Sequence, residues 1–350
     1  MWRAKFLFCK VRSAPIFLNG ICNRQLDVDN LTKIGIFDAF LTYGERSTLR
    51  WSWKPNFGTA SGGLLGIEVS SDGVAVVEMD DSPQGPVVRH CHLLSAEAET
   101  ADAFDQLTAS RLPCNWVLSS EQYSLLLLEA PKVAPEEMHE AVRWQIKDLI
   151  NFPADQAVLD IFDLPEAGSR SRHMIYAVAA QRKHIEAIRA QSRAARLKLS
   201  SIDIGELALR NIALLLPADE RGLAIVRIQQ GQGSLVLIRQ GQLYLSRQFE
   251  LPYQAGVDES LPEDNLILEL QRSLDYYERQ MAQAPPARIL LCGDNIRPEK
   301  ITDSIRSSLP AQVECLQLAT LLQADESFDE ALLQRCVGAI GAALRKEETA

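Results

Sequence analysis

The sequence predicts an α/β protein of two similar lobes with a small subdomain set between them, and three observations carry that prediction. The first is a β-meander that occurs twice. Leu64–Val69, Gly73–Met79 and Val87–His92 are apolar runs joined by short turns bearing Gly or Pro, and the pattern returns as Leu223–Ile228, Ser234–Ile238 and Gln242–Arg247. Short turns rich in Gly and small polar residues between such runs are hairpin signals. Two units of this kind predict homologous lobes whose hairpin turns face one cleft. The second observation is that helical patterns alternate with strands after each meander, which indicates the α/β class. The third is a separate β-α-β-β-α-β order between the meanders.

Each element has a local reason. A short helix is expected around Ala101–Ser110 and a strand at Asn115–Leu118. Tyr123–Glu129 is a further apolar run, closed by Pro131. Pro135 suits the first turn of a helix, and Glu136 and Glu137 suit the positive end of its dipole. Met138, Ala141, Val142, Ile146 and Leu149 step by three and four, predicting an amphipathic helix that ends near Asn151-Phe152-Pro153. Strands at Ala157–Leu164 and His173–Ala180 flank a Gly168-Ser169-Arg170-Ser171 turn. A helix at Arg182–Ala195 and a strand at Leu197–Ile204 complete the inserted block.

The second lobe continues with a long helix from Pro262 to about Gln283, with Leu270, Leu274, Tyr277 and Met281 on its buried stripe. Pro285-Pro286 stops it. Arg288–Cys292 then reads as a strand ending in Gly293-Asp294-Asn295. A helix, a strand near Val313–Leu316 and an amphipathic helix from Glu330 to Arg345 follow. The expected boundaries are a first lobe at 61–120, the insert at 121–204 and a second lobe at 205–350, opening with a connecting helix at 205–220.

Composition narrows the function classes. A chain of 350 residues, 47% hydrophobic and 23% charged, is ordinary for a globular protein of two or three domains. Its net charge of −10 argues against a general nucleic-acid binder, which needs clustered Lys and Arg. The seven Cys are scattered without a C-x-x-C, so neither a disulfide framework nor a zinc site is legible, and a cytosolic compartment is expected. No stretch approaches the roughly 18–20 apolar residues that span a bilayer. Residues 1–60 stand apart, with nine Lys/Arg against four Asp/Glu and ten of the 23 aromatic residues, and no sustained period. They are read as foreign to the fold: a tail, an upstream extension from a misassigned start, or a basic-aromatic segment for a membrane surface.

Several motifs together resemble a known family. Glu269-Leu270-Gln271-Arg272-Ser273-Leu274-Asp275-Tyr276-Tyr277 is similar to the E-[IL]-x-R-S-L-D-[YF]-[YF] signature of PilM-type actin-like proteins of type IV pilus machinery. Gly66-Ile67-Glu68-Val69-Ser70-Ser71 resembles their G-I-D-I-G-S phosphate turn, and Ile289–Asp294 their adenosine-motif strand. Cys336–Arg345 is similar to their terminal G-L-A-L-R helix. The resemblance covers about residues 62–346, and the divergent phosphate turns are most similar to the MshI branch, the MSHA pilus biogenesis proteins. It implies a bilobal actin-like (ribonuclease H-like) fold with a partner-binding insert. It also implies a place at the cytoplasmic face of the inner membrane, in an MSHA or type IV pilus assembly platform. The implied partner is a PilN-like or MshJ-like single-pass inner-membrane protein, whose short N-terminal peptide docks between the insert and the first lobe.

The same resemblance implies a site for ATP with Mg²⁺ and lets its residues be tested in turn. The family's D-x-G turn holds Mg²⁺ through its acid and lets backbone amides approach phosphate through its glycine. Here Glu68 and Ser70 replace those residues, with Gly73 three positions on. In the second lobe the matching position is Arg227, followed by Gln229 and then Gly231, Gly233 and Ser234. Either Arg227 neutralises a phosphate, or both turns are simply hairpins. On the adenosine side, Glu269 and Arg272 match the E-x-x-[KR] pair that holds ribose and adenine, with an ordinary ion pair as the alternative. Gly293 matches the strand end on which a base stacks. Asp203 falls where relatives place a water-orienting acid, and as a plain helix N-cap it would look the same. The expectation is a scaffold with weak or lost ATP binding. The alternatives are a slow Mg²⁺-dependent ATPase switch and a protein held at a membrane surface by residues 1–60.

Other chemistry has less support. His90 and His92 alternate on one strand with no third metal ligand, and the Ser pairs lack a G-x-S-x-G context. Trp144 falls off the Met138–Ile146 stripe, as a subdomain contact or a partner anchor. Arg182, Lys183, His184, Arg189, Arg193, Arg196 and Lys198 form a basic stripe, as a solvated face or a surface for acidic lipid or an acidic partner segment.

Overall fold

The computed structural model describes residues 63–70, 73–94, 112–165, 173–229, 231–253, 260–324 and 328–346. The helix expected at Ala101–Ser110, the Gly168–Ser171 turn and the segment 1–60 lie outside the described residues. The first lobe opens with β1 (Leu64–Ser70), β2 (Gly73–Ser82), β3 (Gly85–Leu94) and β4 (Pro113–Leu118). The insert follows as β5 (Tyr123–Glu129), α1 (Met138–Ile146), β6 (Ala157–Asp163), β7 (Met174–Gln181) and α2 (Arg182–Ala194). Then come β8 (Lys198–Ile204) and the connecting helix α3 (Gly205–Ala213). The second lobe holds β9 (Leu223–Gln229), β10 (Gln232–Arg239), β11 (Gln242–Glu250), α4 (Glu263–Met281) and β12 (Arg288–Gly293). It continues with α5 (Asp303–Ser307), β13 (Gln312–Cys315) and α6 (Leu318–Leu321). The described chain closes with β14 (Gln323–Ala324), α7 (Glu330–Arg335) and α8 (Val337–Ala343).

The two lobes repeat one topology. Sheet order is β14-β3-β2-β1-β4-β8 in the first and β11-β10-β9-β12-β13 in the second. In each, the leading strand pairs antiparallel with its hairpin partner and parallel with the strand that returns after the meander: β1 with β2 and β4, β9 with β10 and β12. β8 and β13 then extend the parallel side in the same way.

The insert is smaller than its chain order suggested. Its own sheet has three antiparallel strands, β5-β7-β6, while the last strand of the predicted block, β8, joins the first lobe beside β4. A parallel neighbour needs a long crossover, and the insert supplies it. Alternation along β5, β6 and β7 gives the insert sheet two apolar faces. Leu128, Leu159, Ile161, Ile175, Ala177 and Ala179 pack with Val142 and Ile146 of α1. Tyr123, Phe162, Tyr176 and Ala180 pack with Ile185 and Ile188 of α2 in the main core shared by both lobes. α1 is also shorter than predicted. Pro135, Glu136 and Glu137 form a turn ahead of it, Lys147 is its C-cap, and Leu149 is exposed beyond it.

α3 and α8 pack against each other at the junction of the lobes. α8 lies on β1, β2 and β4, and α3 reaches β10 and β11. Small residues permit the approach. A Cβ on Gly66 would lie 1.8 Å from the Ala339 carbonyl oxygen, and one on Gly341 would lie 2.2 Å from that of Ala208. Side-chain amides tie the same region together. Asn115 Nδ2 donates to Ala342 O at 3.0 Å, Asn211 Nδ2 donates to Gly341 O at 2.9 Å, and Ser201 Oγ donates to Asn115 Oδ1 at 2.7 Å.

Candidate functional site

The strands that lead into the two hairpin turns meet across the lobes. In β1 the last hairpin pair is Ser70 with Gly73, and in β9 it is Gln229 with Gln232. Glu68 and Arg227 each stand two residues before that pair, so they occupy equivalent positions of the repeated topology. Their side chains meet. Arg227 Nη1 donates to Glu68 Oε1 at 2.5 Å and Nη2 to Oε2 at 2.8 Å, a bidentate pair with side chains only 7% and 8% exposed. Fork-to-fork geometry of this kind is the strongest form of the Arg–carboxylate contact. Burial alone would lower the guanidinium's pKa, but the Glu68 carboxylate outweighs it and the net shift is upward. The carboxylate also lies against α8, where a Cβ on Gly338 would come within 2.3 Å of it. Arg227 thus pairs with a carboxylate of the opposite lobe rather than standing open to a phosphate.

The described residues on either side of the two turns make contacts within the protein. Ser70 Oγ donates to Gly73 O at 3.5 Å, and Gly73 adopts the positive φ of 135° that follows the β1 turn. In the second lobe Gly231, at φ 74°, donates its N–H to Tyr253 O at 2.9 Å. Gly233 is covered by Phe249, whose ring would sit 2.3 Å from an added Cβ, and Ser234 lies inside β10 opposite Arg227. A Mg²⁺–phosphate group needs an uncommitted acid and free amides. The acid is neutralised here, and the Gly231 amide is taken.

The residues expected to hold adenosine likewise have partners within the protein. Arg272 Nη1 donates to Glu269 Oε1 at 2.6 Å, and Arg247 of β11 approaches the other oxygen at 3.5 Å. Gly293 has φ 112°, and the space a side chain would need is filled by Ile228 O at 2.0 Å. Its N–H donates to Gln334 Oε1 of α7 at 2.9 Å. Glycine at 293 therefore permits close approach of β12 to the β9 backbone.

Asp203 is buried at the end of β8 and is not the N-cap of α3. That position falls to Ile204, and the Asp203 carboxylate accepts from the Ile204 N–H at 2.7 Å through Oδ1, leaving Oδ2 without a hydrogen-bond partner. Burial pushes its carboxyl up to about 6, against the charges of Arg345 and Arg210. Asp160 of the insert, in the field of the same Arg345, is pushed up to about 8 by desolvation. Glu206 on α3 is raised too, and it accepts from Tyr123 Oη of β5 at 2.5 Å and Ser246 Oγ of β11 at 3.2 Å. Glu206 on the connecting helix thereby joins the insert to the second lobe. An acid with a raised folded pKa holds its proton more tightly when folded. Stability therefore falls as pH rises from its unfolded value of 3.8 towards about 6, and stays lowered above that. Asp203→Asn keeps the acceptor for Ile204 and removes the charge. It should raise stability at pH 8 by up to about 3 kcal/mol and leave pH 4 unchanged. Melting curves across that range check it, and an unaltered pH slope would sink the assignment.

Trp144 is 67% exposed on α1, with Lys147 Nζ 5.5 Å from its ring centroid. α1 covers the insert-sheet face that points away from the main core. Among the described residues, no group of three His, Cys, Asp or Glu could hold a metal ion, and no helix is long and apolar enough to cross a membrane.

No protein-family model matches this chain, and no curated protein matches it. Among solved structures it is similar to a chain of the "PilM-PilN type IV pilus biogenesis complex", with a TM-score of 0.62 and 19% identity over 81% of this chain and 98% of that one. The fold is actin-like. The chain is also similar to the cytoplasmic domain of EpsL, an inner-membrane component of the Vibrio cholerae type II secretion system (TM-score 0.48, 10% identity, covering 82% and 97%). A Bacteroides thetaiotaomicron protein with an actin-like ATPase fold and unknown function gives 0.47, 11%, 76% and 95%. In the actin-like frame, Glu68 and Arg227 stand on the matching hairpins of the two lobes, and their ion pair links them. Sequence reasoning placed both residues on the turns but did not join them. Neither spacing nor periodicity links positions 159 residues apart, and the only signal was an acid and a base at matching places in the repeat.

Proposed function

We propose that this protein is an actin-like scaffold of a type IV pilus assembly platform of the MSHA kind, working at the cytoplasmic face of the inner membrane with weak or lost ATP binding. Its role is to dock the short N-terminal peptide of a PilN-like or MshJ-like single-pass membrane protein. The Glu68–Arg227 pair carries the non-enzymatic part of this reading, since it supplies from within the chain the charge balance that Mg²⁺ and phosphate would provide. The likeness to a chain of a PilM–PilN complex supports the choice of system and of partner class. Among the described residues, three of the six exposed large hydrophobic side chains, Val133, Trp144 and Leu149, lie on or beside α1, which favours the insert as the docking face. Trp is the side chain most often found anchoring an interface.

Two experiments test the proposal. Titration with ATP, with and without Mg²⁺, should show weak or no binding, little Mg²⁺ dependence and no phosphate release above buffer. Magnesium-dependent turnover abolished by Glu68→Ala would overturn the scaffold reading. Trp144→Ala should reduce recovery of a PilN-like partner while its melting curve stays at that of the unmodified protein. Unchanged recovery would place the docking face elsewhere.

A further inference from the structure

One surface stands apart from the Glu68–Arg227 pair and from α1. Arg182, Lys183, Arg189 and Arg193 lie on α2, and the chain runs on through Arg196 to Lys198 at the start of β8. Glu186 is the single acid among residues 182–198, in a chain whose net charge is −10. At 3.6 residues per turn, Arg182, Arg189 and Arg193 fall on one stripe, to the side of the buried Ile185, Ile188 and Ser192. Arg196 follows the C-cap Ala195 at a positive φ of 52°. Arg189 is half-buried, and the other five cations are exposed. Among the described residues none of the six forms an ion pair with a carboxylate. No large apolar side chain is exposed among them.

We propose that this flank of the insert rests on an anionic lipid surface. A cluster of unpaired cations along and just beyond a helix about 20 Å long, without an aromatic or apolar anchor, has nothing to stack a base on or to seat a peptide side chain. A plane of closely spaced phosphates needs neither, since attraction to it requires only charge density. The acidic remainder of the molecule is repelled by the same surface, so the field also orients the protein with α2 towards the lipid. The contact is purely electrostatic and reaches only about 8 Å at physiological ionic strength. It is therefore sensitive to salt. It does not depend on nucleotide or on the peptide docking proposed above, so the two readings fail separately.

Sedimentation of the full chain with vesicles tests it, with no partner protein present. Phosphatidylglycerol mixed with phosphatidylethanolamine should retain the protein, neutral phosphatidylcholine vesicles should not, and added salt should release it. Arg182→Glu with Lys183→Glu and Arg193→Glu should lower retention about tenfold or more. The same number of reversals on the second lobe, Arg279→Glu with Arg297→Glu and Arg306→Glu, should leave it unchanged. If the first reversal lowers the melting point, glutamine at the same three positions replaces it. No retention on anionic vesicles would overturn the proposal. So would retention that survives loss of the stripe, which would move the attachment to another part of the chain.

Discussion

Arg227→Met should destabilise the protein by about 3–5 kcal/mol, because it strands the Glu68 carboxylate in a buried site with no counter-charge. The pair is bidentate, both side chains are nearly inaccessible, and Gly338 packs directly against the carboxylate. Removing one partner of such a pair leaves a buried charge whose desolvation nothing offsets. Replacing both behaves differently, since a well-packed apolar pair is often as stable as the ions it replaces. The double variant Glu68→Met with Arg227→Met should therefore recover most of the loss. Equilibrium denaturation of the two singles and the double gives the coupling directly. If Arg227→Met costs less than about 1 kcal/mol, the interior at this point is wetter than the geometry implies, and the pair does not hold the lobes together.

Gly341→Val should cost about 3 kcal/mol or more, which places it among severe overpacking substitutions. The added Cβ would approach Ala208 O at 2.2 Å, its carbonyl carbon at 2.5 Å and its Cα at 2.8 Å. All three are backbone atoms of a buried helix, so no flexible side chain can give way. Relief requires α3 and α8 to separate, and separation would break the bond from Asn211 to Gly341 O. Because these helices join the lobes, the damage should appear as loss of the whole cooperative transition. A variant that melts normally would show that α3 and α8 can slide past each other, which would make the junction a hinge.

Much of the architecture was legible because it rests on local pattern. The repeated meander, the Pro285-Pro286 stop after the long helix, and the three-and-four stepping of Val142 and Ile146 each depend on neighbours in sequence. Legibility ended where the deciding contact was distant. β8 read as the last strand of the insert because it follows α2, yet its edge pairs with β4. Leu149 matched the helical stripe, but α1 ends at Ile146 and leaves it exposed. Asp203 had the composition of a cap, and the backbone instead placed Ile204 in that role.

The candidate site divides the same way. The chain alone placed Glu68 and Ser70 on one hairpin and Arg227 and Gln229 at the matching positions of a second, similar hairpin. A turn's residues are read directly from the sequence. Only the tertiary structure decided what those residues do with each other, because a salt bridge depends on distance and dielectric rather than on position in the chain. The fold brings the Glu68 and Arg227 charged ends to 2.5 Å in a site nearly closed to water, and there a lone acid and a lone base become a single neutral pair.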